Sequence, residues 1–233
     1  MPELKIKPIA VIRTDFPEKF GIPRQSGLID GLRGTVVFEP EFRNPEALRG
    51  LEDFSHIWLI WLFSAAVRNE FKPTVRPPRL GGNRKMGVFA TRSPFRPNPI
   101  GLSLVRLESI EEKDNLGMVL NVRGADIMDG TPILDIKPYL PLTEAVPDAR
   151  GGFSTAAAEH SLEVCFPKEL LCRIPEDLRS AAIAVLENDP RPAYQIDGRI
   201  YGVSFAGFNI SFCVREQQLT VLSVEISDKI TMF

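Results

Sequence analysis

The stretch HIWLIWLF, residues 56–63, is apolar throughout apart from its leading histidine. A run of this length without alternation predicts a buried strand covered on both faces. Further short runs bounded by Gly, Pro, Asn or Asp are also predicted as strands: Ile6–Thr14, Gly34–Glu39, Met86–Thr91, Leu102–Ile110, Met118–Val122 and Ile133–Ile136. Many short strands separated by turn signals predict an antiparallel barrel or sandwich in the first two-thirds of the chain.

The last third has a different pattern. Residues 147–161, PDARGGFSTAAAEHS, are small and polar and predict a linker. Apolar residues at helical spacing then predict an amphipathic helix over Glu176–Glu187. Three further strands are predicted at Ile200–Phe205, Asn209–Val214 and Leu219–Ile226. We therefore predict a mainly β protein, α+β overall, with a barrel domain over residues 1–146 and a small α+β domain over residues 162–233.

The composition narrows the class of protein. The 233 residues are 44% hydrophobic and 25% charged, as in ordinary globular proteins, and the net charge of −2 offers no bulk attraction for nucleic acid. Three cysteines without ligand spacing and only two histidines predict no metal site and a reducing, cytoplasmic location. The longest apolar stretch, Ile57–Val67, is too short to span a bilayer, so we predict no membrane association.

One segment concentrates positive charge. Residues 73–101, PTVRPPRLGGNRKMGVFATRSPFRPNPIG, contain no acidic residue and many prolines, so they must form turns and extended loops. The cations are Arg76, Arg79, Arg84, Lys85, Arg92 and Arg96. Arginine on stiff loops presents a fixed fork of donors to phosphate or carboxylate, which favours a polyanion-binding surface. The alternative is a solvated loop that balances acidic surface elsewhere.

Three polar turns could carry chemistry. Pro23–Gly27 offers side-chain donors, Asp126–Pro132 brings two carboxylates to a tight Asp-Gly turn, and Asp189–Tyr194 (DPRPAY) holds a carboxylate, a cation and a phenol between prolines. Each is also explained as an ordinary turn or helix stop. The N-terminal part has no glycine-rich strand-to-helix motif, so a nucleotide-like cofactor would not be bound in Rossmann fashion.

Six strings together resemble the TrmO family, also called YaeB or TsaA-like, of tRNA N6-adenosine methyltransferases. They are Ile22–Gly27, Arg49–Trp58 (RGLEDFSHIW), Arg76–Asn83, Met86–Gly101, Asp129–Pro141 and Asp189–Tyr194. The resemblance implies S-adenosylmethionine as cofactor and methylation of N6 of threonylcarbamoyladenosine at tRNA position 37, next to the anticodon. It also implies a non-Rossmann barrel that binds the cofactor, and a homodimer with cofactor sites near the subunit interface.

The resemblance also assigns residues. The implied cofactor contacts are Arg24, Gln25, Ser26, Ser64, Ala65, Arg92, Leu102, Asp129, Gly130, Thr131 and Pro132. Ser64-Ala65 departs from the family, whose members often have a His-Gln pair there. The basic side chains Arg76, Arg79, Arg84 and Lys85 are expected to hold the backbone of the anticodon stem-loop.

The expected reaction is direct methyl transfer, in which the protein aligns the reactants and handles charge. In the DPRPAY loop we expect Asp189 as acceptor or orienter, Tyr194 as stacking platform or partner to N6, and Arg191 on a phosphate. Two alternatives remain: a non-catalytic RNA-binding module that uses the same basic loop, and a small-molecule methyltransferase on the same fold.

Overall fold

The computed structural model describes residues 5–67, 70–77, 84–153, 161–191 and 197–227. Its strands are β1 (Ala10–Thr14), β2 (Arg33–Phe38), β3 (His56–Leu62), β4 (Thr74–Val75), β5 (Met86–Gly87), β6 (Ile100–Lys113), β7 (Gly117–Arg123), β8 (Thr131–Pro138), β9 (Glu163–Cys165), β10 (Ile200–Phe205), β11 (Phe208–Arg215) and β12 (Gln218–Ile226). Its α-helices are α1 (Pro141–Glu144), α2 (Lys168–Leu171) and α3 (Glu176–Glu187). The predicted mainly β fold with a barrel is confirmed.

Six strands close the barrel in the order β1-β2-β7-β6-β3-β8, and every pair is antiparallel. Strand β3 alternates between the two faces, with Ile57, Leu59 and Trp61 buried in the barrel core. The other face of β3 is only part-buried, so the predicted strand covered on both faces is wrong. Trp58 on that face packs edge-on against Tyr139, which explains why an outward position is aromatic.

The barrel has one end where the chemistry-bearing loops meet. Antiparallel pairing puts the last residues of β1, β3 and β7 beside the first residues of β2, β6 and β8. The registers show this directly, since Thr14 pairs with Gly34 and Leu62 pairs with Ile100. We call this the site end of the barrel, defined by the residues Thr14, Arg33, Leu62, Ile100, Arg123 and Thr131.

The C-terminal part is a four-stranded sheet in the order β10-β11-β12-β9 with α3 packed against it. Its core continues into the β1–β2 connection, because Phe16, Ile29 and Leu32 are buried in the same cluster as Phe205 and Leu186. Backbone contact reinforces the junction, where the Ala206 amide donates to the Asp15 carbonyl at 2.8 Å. The segment between β1 and β2 therefore fills the space between barrel and sheet.

Several elements differ from the sequence prediction, and β1 begins only at Ala10, later than the predicted Ile6. The strand predicted over Met86–Thr91 is wrong, because β5 ends at Gly87 and a single 3-10 turn follows over Val88–Ala90. Thr91 closes that turn by donating through both its amide and its hydroxyl to the Val88 carbonyl. The parallel strand β9 beside β12 was not predicted. In the described part of the chain, no helix is long and apolar enough to cross a membrane.

Candidate functional site

Two of the predicted cofactor-binding residues meet at the site end of the barrel. Arg92 Nη1 donates to Gln25 Oε1 at 2.8 Å, which joins the loop after the 3-10 turn to the Pro23–Gly27 turn. Gln25 also donates through Nε2 to the Arg24 carbonyl at 2.6 Å. Its side-chain amide is therefore oriented at both ends, and the exposed guanidinium of Arg92 is held in a defined direction.

A neighbouring arginine shapes the loop that carries Arg92. Arg96 Nη1 donates to the carbonyls of Thr91 and Ser93 at 2.8 and 3.4 Å, and the Phe95 amide donates to Ser93 Oγ at 3.2 Å. These bonds satisfy backbone groups of a proline-rich loop that forms no ladder of its own. Arg96 thus hydrogen-bonds to the backbone of its own loop, whereas the Arg92 guanidinium keeps further N–H groups that can bind a ligand.

A polar network closes the barrel core at the site end. Trp61 Nε1 donates to Ser103 Oγ at 3.0 Å, and Ser103 Oγ donates to Asp126 Oδ1 at 2.5 Å. Burial raises the pKa of Asp126, and the Ser103 hydroxyl and the Arg92 charge act in the opposite direction. Gly101 completes the arrangement, since a Cβ there would come within 2.3 Å of the Trp61 ring.

The Pro23–Gly27 turn is fixed onto the same network. Ser26 Oγ accepts from the Leu104 amide at 3.1 Å, and the Ser26 backbone bonds to Asp126. Leu102 lies between these polar contacts on β6 and exposes about half of its surface (45%). This exposed leucine provides an apolar surface on the strand that also carries Ser103 and the Leu104 amide, and small-molecule sites combine apolar surface with a few hydrogen-bonding groups.

Ser64 and Ala65 follow β3 in a short 3-10 turn and are both exposed. The Lys19 ammonium donates to the Ala65 carbonyl, which ties this turn to the β1–β2 connection. The contact runs through backbone and does not require the polar pair that the family often has here. Lys19 was not among the predicted residues, and its position in the sequence offers no motif that would have found it.

The turn over Asp129–Pro132 is bound to β1. The Asp129 amide donates to Phe16, the Gly130 amide donates to Ile12, and the Thr14 amide donates to Asp129 Oδ1 at 3.1 Å. Gly130 has a φ of 75°, which the tight turn requires. Since these amides are already used, a ligand would meet the carbonyls and side chains of this turn.

The DPRPAY loop lies in a second part of the site, at the junction with the C-terminal sheet. A cleft of about 120 Å³ is lined by residues 19–24 on one side and by Val185 and residues 188–191 on the other. Arg24, Asp189 and Arg191, predicted from separate motifs, thus surround one cleft. Asp189 has a φ of 50°, a strained backbone position that the loop imposes.

Asp189 and Arg191 form a fork-to-fork ion pair. Arg191 Nε donates to Asp189 Oδ1 at 2.8 Å and Nη2 donates to Oδ2 at 3.0 Å. The Arg191 side chain is only 3% exposed, and Asp197 Oδ1 lies 3.7 Å from Nη1. Among the described residues the buried Nη1 has no hydrogen-bond partner and only Asp197 as an ion-pair partner, and Arg191 itself lines the cleft.

The predicted RNA contacts lie away from the barrel core. Arg76, Arg84 and Lys85 are exposed on the β4–β5 hairpin. Arg79 and the predicted catalytic Tyr194 lie outside the described residues. Within the described ranges no group of three or more His, Cys, Asp or Glu residues is placed to hold a metal ion.

The fold and this site define a class of protein. A closed antiparallel barrel that gathers an oriented guanidinium, a part-buried carboxylate and hydroxyls at one end is a non-Rossmann ligand-binding domain. The chain matches the family models for the tRNA-methyltransferase O N-terminal domain over residues 11–145 and the TrmO C-terminal domain over residues 157–227. The chain belongs to the tRNA-methyltransferase O family.

Individual relatives agree with this assignment. The chain is 42% identical over 236 residues to the tRNA (adenine(37)-N6)-methyltransferase of Escherichia coli, covering 97% of this chain and 99% of the relative. It is 47% identical to RcsF of Pseudomonas aeruginosa, named for S-adenosylmethionine-dependent methyl transfer, covering 85% of this chain and 87% of the relative. A crystal structure of TrmO from Pseudomonas aeruginosa superimposes with a TM-score of 0.78 at 37% identity, covering 97% and 99% of the two chains.

Proposed function

We propose that this chain methylates N6 of threonylcarbamoyladenosine at tRNA position 37, next to the anticodon. As a member of the tRNA-methyltransferase O family, the chain is a tRNA methyltransferase that uses S-adenosylmethionine. Its E. coli relative is named for transfer to N6 of adenine 37. The threonylcarbamoyl group on the substrate base is the finer part of the proposal, and the DPRPAY cleft supports it.

The residues at the site end suit S-adenosylmethionine chemically. This cofactor has a carboxylate, an ammonium and ribose hydroxyls, for which Arg92, Asp126 and the Asp129–Pro132 carbonyls are complementary partners. Leu102 offers an apolar face for an adenine ring. Ser26 and Gln25 hold the loop in place, and Ser64-Ala65, in the turn after β3, would contribute backbone contacts. When bound, the cofactor supplies a methyl group on a sulfonium, so the chain needs no covalent nucleophile.

The observation that carries the substrate proposal is the buried Nη1 of Arg191, which has no hydrogen-bond partner among the described residues. A buried guanidinium donor costs stability unless an acceptor reaches it. The threonylcarbamoyl group ends in a carboxylate, and the cleft is lined by three cations, Arg191, Arg24 and Lys19. A carboxylate there would give the buried Nη1 a hydrogen-bond acceptor. An unmodified adenosine would leave Nη1 with the Asp197 carboxylate 3.7 Å away and no hydrogen bond from the substrate, which is the source of discrimination.

The same geometry changes the expected role of Asp189. Both of its oxygens accept from Arg191, so its carboxylate is engaged before a substrate arrives. Asp189 therefore orients Arg191, and the acceptor role for the N6 proton is less suited to it. Arg191 in turn faces a carboxylate in this proposal, whereas the sequence favoured a phosphate. Tyr194 remains the proposed stacking platform or partner to N6.

The remaining proposals concern the RNA and the assembly. The exposed cations Arg76, Arg84 and Lys85, with Arg79, would hold the anticodon stem-loop backbone. We propose a homodimer, a cytoplasmic location and a division between domains within residues 147–161. Three unpaired cysteines agree with a reducing compartment. The barrel core, whose described members all precede residue 147, agrees with the division, and the β1–β2 connection crosses it by packing into the C-terminal core.

The test uses tritiated S-adenosylmethionine and two batches of one tRNA, with and without the threonylcarbamoyl group. We expect label only in the modified batch. Arg191→Lys should lower the rate on that batch by at least ~10-fold, because an ammonium cannot keep both bonds to Asp189 and reach a substrate carboxylate. Equal labelling of both batches, or no effect of Arg191→Lys, would refute the role of the carboxylate. Light scattering on the same protein tests the dimer.

A further inference from the structure

Two large aromatic side chains lie exposed beside the basic hairpin (residues 74–77 and 84–87). Phe71 is 55% exposed and Phe89 is 74% exposed, and their rings stack with centroids 6.5 Å apart at an angle of 26°. Single exposed apolar residues are common and need no explanation. A stacked pair in solvent differs from them, because it forms one continuous aromatic surface. We call it the phenylalanine pair.

The backbone holds Phe89 in place. The Val88 amide donates to the Pro73 carbonyl at 2.9 Å, and Val88 itself is 1% exposed. Thr91 closes the turn from the other side through two bonds to the Val88 carbonyl. With Val88 buried beneath it, Phe89 points outward from a fixed turn. Because the turn already fixes the Phe89 backbone, little conformational entropy is lost when a planar group stacks on its ring.

The positive charge around the phenylalanine pair favours an anionic binding partner. Between residues 70 and 99 the described residues include one acid, Glu70, against six cations: Lys72, Arg76, Arg84, Lys85, Arg92 and Arg96. Among the described residues none of Lys72, Arg76, Arg84 and Lys85 has a carboxylate within 4 Å. Unpaired cations that flank an exposed aromatic surface are the arrangement by which proteins bind single-stranded nucleic acid.

A second copy of this chain is a poorer partner for the pair. A twofold interface centred on this pair would bring the same cations of both subunits together at the axis. Repulsion between like charges at close range opposes that contact, whereas phosphates neutralise it.

We propose that the phenylalanine pair is a stacking platform for an unpaired nucleobase of the anticodon loop, whose backbone the basic hairpin holds. The proposal rests on the proposed function for its RNA, and it adds the contact that a loop base makes. Stacking tolerates any base because every base has an aromatic face, so the platform contributes affinity for unpaired RNA and little sequence preference.

The test measures binding of an anticodon stem-loop RNA by the wild-type chain and by Phe89→Leu. We expect affinity on the order of 10-fold weaker for the variant. The slope of log K against log salt should stay unchanged, because no phosphate contact is lost. Arg76→Gln in the same assay should reduce that slope by about one. Leu142→Ala, at a 95% exposed residue away from the hairpin, is the control and should change neither.

An abasic scan distinguishes stacking from packing. Removing the base at one loop position should weaken wild-type binding and have little further effect on Phe89→Leu. Phe89→Trp should retain affinity and show fluorescence quenching that the abasic RNA abolishes. Unchanged affinity in Phe89→Leu, or loss of dimer mass in that variant by light scattering, overturns the platform while the proposed function stands. A wild-type chain that binds no RNA overturns both.

Discussion

Arg92 donates a 2.8 Å hydrogen bond to Gln25, a residue 67 positions earlier in the chain. The two residues come from different motifs, and neither motif contains the reason for the contact. The bond forms because β3 and β6 bring the loop before β6 to the same end of the barrel as the β1–β2 connection. The bond orients the exposed Arg92 guanidinium, and Gln25 is itself fixed by its hydrogen bond to the Arg24 carbonyl.

Replacing Arg92 by alanine should weaken binding of S-adenosylhomocysteine by roughly 10- to 100-fold, because a hydrogen bond to a charged group contributes about 1.5–3 kcal/mol. Calorimetric titration measures the change. Gln25→Ala is the matched control, since it removes only the orientation of the guanidinium and should have a smaller effect. Equal losses in both variants would show that Arg92 acts through the loop and does not touch the cofactor.

Ser103→Ala should destabilise the chain by about 1–3 kcal/mol, because it leaves the Trp61 indole and the Asp126 carboxyl without their partner. Chemical denaturation measures the loss, and near-ultraviolet circular dichroism should report a changed Trp61 environment. Ser109→Ala, at a part-exposed serine on the same strand, is the control and should change stability by much less. A Ser103→Ala variant as stable as the wild type would contradict the network.

Asp15 predicts a dependence of stability on pH. Burial raises its pKa above the ordinary value of 3.8, and Arg33, 3.7 Å away, offsets this only in part. The folded state therefore holds the proton more tightly than the unfolded state does. Stability falls as the pH rises from 3.8 through the folded pKa, and the cost of the buried charge is present at neutral pH.

We therefore expect Asp15→Asn to have a higher Tm than the wild type at pH 7.5, and the difference to shrink as the pH falls below the folded pKa. Taking the difference between the two proteins cancels the contribution of Asp126, whose pKa is also raised. Asp177→Asn removes the exposed partner of Arg33 and should change Tm little at either pH. A variant less stable at pH 7.5 than the wild type would mean that Arg33 outweighs burial.

Gly21→Ala tests the junction between barrel and sheet. Gly21 has a φ of 93°, and a Cβ there would lie 2.2 Å from Val203 Cγ2. Strain and overlap together should cost more than about 2 kcal/mol of unfolding free energy. Gly207→Ala is the matched control, because its φ of 81° is similar but a Cβ would meet nothing within 4 Å. Equal losses in the two variants would show that the overlap with Val203 is relieved at no cost.

The sequence predicts most of the strands and α3 because their signals are local. Helix α3 is found at its predicted bounds, since its apolar spacing and its acidic first turn need no tertiary context. The sequence predicts a strand at Val88–Ala90 because VFAT has strand propensity. The bond from the Val88 amide to the Pro73 carbonyl and the local bonds from Thr91 to Val88 favour a 3-10 turn instead. Strand β9 is three residues long and pairs in parallel, so its signal is too short to read.

The sequence predicts the site residues that lie in the family strings. It does not predict the contacts that only the tertiary packing creates. Arg92 and Gln25 were expected from the family strings, and the structure brings them together. Ser103 is an ordinary strand residue in the sequence, and only the closed barrel reveals its bond to Asp126. Likewise, the sequence predicts Asp189 as an acceptor or orienter at N6, and only the structure shows that both of its oxygens accept hydrogen bonds from Arg191.

The shared core at the junction has a consequence for folding. Because Phe16, Ile29 and Leu32 belong to the barrel half in sequence but are buried among residues of the C-terminal sheet, unfolding of the sheet exposes these three side chains, and unfolding of the β1–β2 connection uncovers the core of the sheet. The chain is therefore expected to unfold in one cooperative transition, with a single calorimetric peak. During synthesis, the barrel half would keep three large apolar side chains exposed until residues near position 224 have emerged, and over that interval it is the part most prone to aggregation.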